Sequence, residues 1–429
     1  MDNITHSLVG YLVARSLPKP DVEKFPKYES AVLWTALIAS NLPDFDFLIQ
    51  IFNTNNPMQY LLHHRGYTHT FLLTLPLGLI AARAAVLISG TKAKAQSALW
   101  RLSGVGVLCV LLHIGGDYCN NYGVHPFSPF YNRWYYGDFL FILEPFIWLT
   151  LLPFVFFSVK TKSVRTVSVI LCALILGIVW SRQFNALPVA LVVTIWFGLV
   201  SLSHFFAPRV GVRPRNSVII PWTGFAIVFF SFFFGSNQSK NRLIELFQDE
   251  NRILKREQIS LSPSPANPFC WSFIITGIEE ISDRTHRGKF YVAKAGAISL
   301  WPAFAPPTNC YLRTKKSLSF ADSEIDHPIS NQIHWVGAMI RPLDDFLRLE
   351  KKYCRFGEFL KFSRVPGWFE QSGTWYVTDL RFDGAQRKGF FTFTLNGNDL
   401  CQSAPSGSVS TLTPWIPPIE LSIGVGFGI

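Results

Sequence analysis

The sequence predicts a polytopic all-α membrane domain followed by a β-rich (α+β) soluble domain. Residues 70–235 are almost entirely apolar segments joined by short basic loops, whereas residues 236–429 have the mixed composition of a soluble protein. The longer apolar segments approach the roughly 20 residues that a helix needs to cross a bilayer. Beyond Trp271 the pattern changes to short alternating runs, the period of strands.

Taken in order, two shorter apolar stretches come first, at 4–17 and 31–51. Asn41-Leu42-Pro43-Asp44 interrupts the second, so both read as short or partly embedded. No small-residue cleavage site follows the first, and a removable signal peptide is not expected. Spans are then predicted at 71–90, 99–115, 139–159, 166–180, 186–206 and 218–235. This sets a membrane domain over 1–235, a polar helical linker over 236–260 and a β-rich domain over 261–429. In the last, 261–268 reads as a proline-rich breaker, and strands are predicted at 271–276, 289–293, 375–382 and 389–395. Asn396-Gly397 is a turn signal. Cys270, Cys310, Cys354 and Cys401 all lie in this domain and can form disulfides in an oxidising compartment, with pairings left open. Cys109, Cys119 and Cys172 read as packing residues.

The net charge of +11 does not point to nucleic acid, because basic residues in loops between apolar spans report orientation. Arg15, Lys19, Lys24 and Lys27 fall on one side with Lys92, Lys94, Arg101, Lys160, Lys162, Arg165, Arg209, Arg213 and Arg215. Only Arg65, Arg133 and Arg182 fall in the short loops of the other. The basic side is cytoplasmic by the positive-inside rule, which sends the C-terminal domain out of the cytoplasm.

Six of the ten histidines lie within the first 125 residues, interleaved with carboxylates. Ionisable groups beside a bilayer are costly and mark function. On the topology above, His6, Asp44, Asp46, His63, His64, His69, His113 and Asp117 all fall on or near the outer side. Imidazole plus carboxylate suits one or two zinc ions, with manganese or iron as alternatives. The expected metal ligands are His6, Asp44, Asp46, His64, His69, His113 and Asp117.

His113 and Asp117 share one helix face at i,i+4; they either ligate together or the Asp orients the His. Gly115 and Gly116 between them admit close approach of another element. His64 and His69 require a turn at 65–67, with Thr68 or His69 opening the next helix and Thr68 capping it. Arg65 is placed either for a phosphate oxygen or for a lipid headgroup. Asp138 or Glu144 is the candidate general base, with an interfacial carboxylate as the plainer role for Asp138. His125 and His63 are accessory ligands or polar loop residues.

The ordered set Thr5-His6, Pro43-Asp44-Phe45-Asp46, His64-Arg65-Gly66-Tyr67-Thr68-His69 and His113…Asp117 resembles the YdjM-like family of bacterial inner-membrane proteins. The resemblance covers mainly residues 1–145. Pro263-Ser264-Pro265-Ala266-Asn267-Pro268 with Trp271, and Val377-Thr378-Asp379-Leu380-Arg381-Phe382, are similar to longer members with an outer domain. It implies a multi-pass protein of the bacterial inner (plasma) membrane and a metal-dependent hydrolase. Several relatives carry His where this chain has Phe47, so one ligand is missing or supplied elsewhere. The expected activity is hydrolysis of a phosphoester or lipid-derived substrate, a phospholipid among them, through a metal-activated water. The alternative is a non-enzymatic metal-binding membrane protein. A transporter would place its ionisable residues near the bilayer midplane, whereas these gather at one face.

Overall fold

The computed structural model describes residues 1–18, 27–46, 65, 67–90, 96–131, 133–181, 186–212, 216–247, 254–282, 287–310, 330–382, 389 and 391–401. His63, His64, Phe47, Lys19, Lys24, Lys92, Lys94, Arg182, Arg213 and Arg215 lie outside the described residues. The chain divides into two compact units. The first holds the described residues up to Gly235 together with Pro265–Pro268; the second holds the other described residues from Ser236 onward.

The first unit is helical. Helix α1 (Asn3–Ser16) is capped by Asp2, whose carboxylate accepts from the Ile4 and Thr5 N–H groups. Helix α2 (Tyr28–Ala39) runs into a 3₁₀ turn, Leu42–Asp46. Then follow α3 (Phe71–Ser89), α4 (Gln96–Tyr118), α5 (Pro145–Ser158), α6 (Lys162–Trp180), α7 (Leu187–Phe206) and α8 (Ile219–Phe247). Among the described residues, α3, α6, α7, α8 and residues 98–118 of α4 are long and apolar enough to cross a membrane. Several carry apolar stripes that no protein covers, such as Leu187, Leu191, Ile195, Leu199 and Leu202 on α7. Spacings of three and four residues put these on one helix face, the face that meets lipid. The first unit is a multi-pass membrane domain.

The span expected at 139–159 is corrected. Helix α5 has 14 residues, about 21 Å of rise, against a hydrocarbon core of about 30 Å. The chain before it is irregular, because Glu144 caps the helix through the Phe146 N–H and Pro145 occupies its first turn. Eleven of its residues are buried, so α5 is packed on all sides and lies against α6 and α7.

Helices α1 to α4 pack together around Val13, Ala36, Ala39, Ala81, Val105, Cys109, Val110 and Ile114. Small residues set the distance between α3 and α4. A Cβ on Gly78 would come within 2.6 Å of the Val107 nitrogen, and one on Gly106 within 2.5 Å of the Gly78 oxygen. Backbones this close exclude any side chain there, a packing mode that membrane helices use when no hydrophobic force drives them together.

The second unit is rich in antiparallel sheet. One sheet has the order β1 (Ile259–Ser264), β2 (Asn267–Ser282), β3 (Arg287–Ser299), β4 (Ile333–Pro342). The β2–β3 register runs from Cys270 opposite Ser299 to Ser282 opposite Arg287, and β3–β4 shifts register between Ala295 and Gly296. The other sheet is a meander of β5 (Pro366–Gln371), β6 (Thr374–Asp379) and β7 (Thr392–Leu395). Helices α9 (Leu343–Lys352) and α10 (Cys354–Leu360) connect the two. Trp271, Trp368, Tyr291, Phe273, Phe356 and Phe359 are fully buried. The cysteines pair as Cys270–Cys310 and Cys354–Cys401, while Cys109, Cys119 and Cys172 are free and buried.

One expectation needs correction here: the breaker at 261–268 includes the end of strand β1, and Pro263 sits inside that strand. The stretch after Gly235 is helical as far as Phe247, as a continuation of α8.

Candidate metal centre

His113 and Asp117 stand one turn apart near the end of α4. The His113 Nδ1 is 2.7 Å from the Ser40 carbonyl oxygen at the end of α2. A carbonyl only accepts, so Nδ1 carries the proton of this bond, and the ring in its neutral form presents Nε2 as a lone pair. His69 meets it from the turn before α3, with 3.0 Å between the two Nε2 atoms. The His69 Nδ1 lies 3.1 Å from Thr68 Oγ1 and 3.8 Å from Asp46 Oδ2.

Two carboxylates close the group. The His69 Nε2 is 3.1 Å from Asp117 Oδ2 and 3.4 Å from Asp44 Oδ1. The His113 Nε2 is 3.5 Å from each of those oxygens. Asp44, His69, His113 and Asp117 thus offer one ligand atom each, all within 4.8 Å of one another. His69, His113 and Asp117 are almost wholly buried, and Asp117 Oδ2 has no hydrogen-bond partner. With ligand bonds of about 2.0–2.2 Å, donors around a tetrahedral ion stand roughly 3.3–3.6 Å apart. The five spacings that involve an imidazole, 3.0–3.5 Å, sit at or just under that, and the whole group stays within 4.8 Å. Two imidazole lone pairs, two carboxylates and an orphaned oxygen fit a divalent cation in chemistry and in span.

The other expected residues surround this group or stand away from it. Asp46 accepts from the Arg65 N–H at 2.8 Å and from Thr68 Oγ1 at 3.1 Å, so it braces the turn that carries His69. His6 stacks on the His113 ring with centroids 3.8 Å apart. Its Nε2 is 3.4 Å from Asp117 Oδ1, the oxygen that faces away from the four-donor group. Gly116 makes room for it, since a Cβ there would sit 3.2 Å from His6 Cε1, whereas Gly115 faces nothing within 4 Å.

Arg65 differs from the surface cation that its loop position suggests. It is 3 % exposed and sits at a positive φ of 62°, a backbone state costly for a residue with a Cβ. Its guanidinium donates to Asp117 Oδ1 at 2.9 Å, Asn120 Oδ1 at 3.3 Å and the Gly123 carbonyl at 3.2 Å. It lies 4.6 Å over the Tyr122 ring. The α-amino group of Met1 also donates to Asp117 Oδ1. One oxygen of Asp117 is therefore saturated by cations while the other is held bare.

Asp138 is fully buried at a φ of 59°. Glu144 is buried too, and its carboxylate accepts from the Phe146 and Ala266 N–H groups. The ring of His125 stacks on Trp134 at 4.5 Å, and burial pushes its pKa down to about 4. The cap of α3 is Thr70, which accepts from Leu73 N; Thr68 serves Asp46 instead.

Sequence reasoning passed over Ser40, Asn120 and Tyr122. The Asn120-Asn121 pair directly after an apolar helix was a readable signal of a polar cluster. The Ser40 carbonyl was not, because every residue carries one.

Residues 1–187 match the family model described as YdjM inner membrane protein. The chain is also similar to the uncharacterized protein YfhP of Bacillus subtilis (strain 168). The two are 28% identical over 151 residues, which is 35% of this chain and 44% of the relative. The match thus spans less than half of that relative's length. No solved structure matches the chain. The four candidate ligands all lie inside the segment that matches the YdjM inner membrane protein model.

Proposed function

We propose that the membrane unit is a metal-dependent hydrolase acting on a phosphoester or lipid-derived substrate. The observation that carries this reading is the convergence of Asp44 Oδ1, His69 Nε2, His113 Nε2 and Asp117 Oδ2, with Asp117 Oδ2 lacking a hydrogen-bond partner. A bound zinc, manganese or iron ion supplies two things there, a lower pKa for a water and polarisation of the scissile group.

The chain's own part is to hold that chemistry in place. Ser40 fixes the tautomer of His113, and Thr68 with Asp46 orients His69, as outer partners do for metal-bound imidazoles. Arg65 neutralises Asp117 from the Oδ1 side and keeps Oδ2 turned inward. Asp44 faces only two imidazoles among the described residues, so its charge calls for a cation. His6 sits beside the group with an Nε2 that makes no hydrogen bond among the described residues, and we assign it the role of proton acceptor in place of Asp138 or Glu144. A non-catalytic metal-binding protein needs no such acceptor.

The orientation belongs to the same reading, with the second unit outside the cytoplasm of a bacterial inner membrane. The basic-loop asymmetry supports it, as do two disulfides confined to that unit. An impermeant maleimide should label Ser406→Cys from outside intact cells and leave Ser217→Cys unlabelled. The reverse pattern refutes the orientation.

The test of function is elemental analysis of the purified protein alongside a panel of esters, phosphodiesters and phospholipids. Metal should be bound, chelation should abolish hydrolysis, and zinc or manganese should restore it. His6→Gln should keep the metal and lose most of the rate. If the metal-loaded protein hydrolyses nothing in the panel, the binding-protein reading takes over.

A further inference from the structure

Beside the metal centre the first unit opens a groove of about 480 Å³, lined almost entirely by apolar side chains. Phe71 and Leu72 form one wall from the first turn of α3; Pro126, Phe127, Phe130 and Tyr135 form most of the rest. The wall is pinned in place, since the Phe71 N–H donates to the Pro126 carbonyl at 2.8 Å.

The groove is close to the donor group by covalent geometry alone. Phe71 follows His69 by two residues, so their Cα atoms are at most about 7 Å apart. On the other side, the Arg65 guanidinium donates both to the Gly123 carbonyl, three residues before Pro126, and to Asp117 Oδ1.

Its surroundings say what it meets. Phe130 is 84% exposed, and Phe127, Tyr131, Tyr67, Phe71 and Leu72 are also exposed. Such a patch in water would be an aggregation hazard and normally marks a binding or membrane surface. Here the patch lies where α3 begins and just after α4 ends, both candidate spans. Aromatic side chains are enriched at that level of a bilayer. The exposed stripe of α3 continues from it through Leu75, Ile80 and Leu87, so the groove is continuous with the lipid-facing surface.

We propose that this groove takes an acyl chain of a bilayer lipid. The substrate of the metal centre is then a membrane lipid, cleaved at a polar linkage near the start of that chain. Hydrolysis adds one water across that linkage: OH goes to the phosphorus or acyl carbon, and H goes to the departing alcohol oxygen. This inference rests on the hydrolase reading for the chemistry but not for the binding.

The test separates the two. Full-length protein in nanodiscs of phosphatidylethanolamine and phosphatidylglycerol is irradiated with a phosphatidylglycerol bearing a diazirine in one acyl chain. Adducts are mapped by peptide mass spectrometry. Labelling should concentrate at residues 71–72 and 126–135 and fall with excess unlabelled long-chain lipid. Leu72→Glu and Phe130→Glu change exposed positions and put a carboxylate where the chain would lie. Each should cut groove labelling about tenfold with metal content intact. They should also lower the ratio of long-chain lipid to water-soluble phosphodiester hydrolysis. His69→Ala should lose metal and keep the label, so failure of the hydrolase reading leaves the groove result standing. Labelling spread evenly over all lipid-facing helices, or unchanged in both Glu variants, overturns the proposal. So does exclusive cross-linking of the groove to a second copy of the chain.

Discussion

Among the described residues, each unit holds an aspartate fully buried against arginine, and the two sites are built differently. In the second unit Asp379 is saturated on both oxygens. Its Oδ1 accepts from the Arg381 N–H and Nε at 3.0 Å each, and its Oδ2 accepts from Arg381 Nη2 at 2.8 Å and the Arg364 N–H at 3.1 Å. Arg364 donates onward to the Ile259 carbonyl, and the Arg381 guanidinium lies 4.9 Å over the Phe382 ring. In the first unit Asp117 is saturated on Oδ1 alone, and its Oδ2 meets two imidazoles and no hydrogen-bond donor. A closed network has nothing left to bind and serves to lock strands. An open one holds its lone pairs for something absent from the chain. Buried charge by itself distinguishes neither; the count of unsatisfied atoms does.

The strongest way to break this contrast is Asp379→Ala. Removing one partner of a buried pair strands the other charge, a loss of about 3–5 kcal/mol, a large share of the roughly 5–15 kcal/mol that holds a domain folded. The thermal transition of the second unit should fall by about 10 °C or more by circular dichroism. Metal content of the first unit should not move. A variant that melts like the parent would show that the closed network is not structural.

His69→Ala and His113→Ala come next. Each deletes a lone pair from the open group, and bound metal should fall at least tenfold by elemental analysis, more than an outer-partner loss of about 10–100-fold in affinity at its lower end. Removing an imidazole leaves no stranded cation, so the fold should persist by circular dichroism. Unchanged stoichiometry in both variants would refute the metal centre.

How far the contrast was legible from sequence differs between the units. Asp44, His69, His113 and Asp117 could be collected in advance because ionisable groups are conspicuous against apolar helices, and helical spacing places His113 over Asp117. The buried use of Arg65 was not legible. It depends on Asn120, Gly123 and Asp117 being folded around it, and on a left-handed backbone that no local pattern requires of an arginine. The short α5 was missed because hydropathy counts apolar residues, while Glu144 and Pro145 decide where the helix starts. In the second unit, β2 and β3 were seen only in part. Both faces of these long strands are substantially buried, so alternation fades along them. Strand β1 was missed because Pro263 fell in a stretch read as a breaker, and β5 went unpredicted because it opens on Pro366-Gly367, a pair that marks turns more often than strands. The Asp379 motif was visible as a resemblance, and nothing in its residues told a lock from a site.

Asp46→Asn sharpens the comparison at a smaller scale. Asp46 belongs to the open group's support: it accepts from the Arg65 N–H and Thr68 and lies 3.8 Å from His69 Nδ1. An amide oxygen still accepts from the backbone, but it orients a metal-bound imidazole less strongly than a carboxylate. Metal affinity should fall about 10–100-fold, read by competition with a chelator of known affinity, while stoichiometry at saturating metal stays the same. Loss of stoichiometry would instead make Asp46 a ligand.

The smallest expected effect isolates burial as the variable. Arg242 and Glu245 form an ion pair at 2.9 Å on α8, with side chains 43% and 61% exposed. Its geometry is as good as that of the Arg65–Asp117 pair, also 2.9 Å. Glu245→Gln removes the charge and leaves Arg242 its hydrogen bond to Gln332 at 2.7 Å. Exposed pairs are worth about 0–1 kcal/mol, because water solvates each partner nearly as well as the other does. The melting temperature should therefore shift by no more than about 3 °C, with metal content unchanged. A loss comparable to that of Asp379→Ala would mean that pair geometry, and not the removal of water, sets the energy of both buried networks.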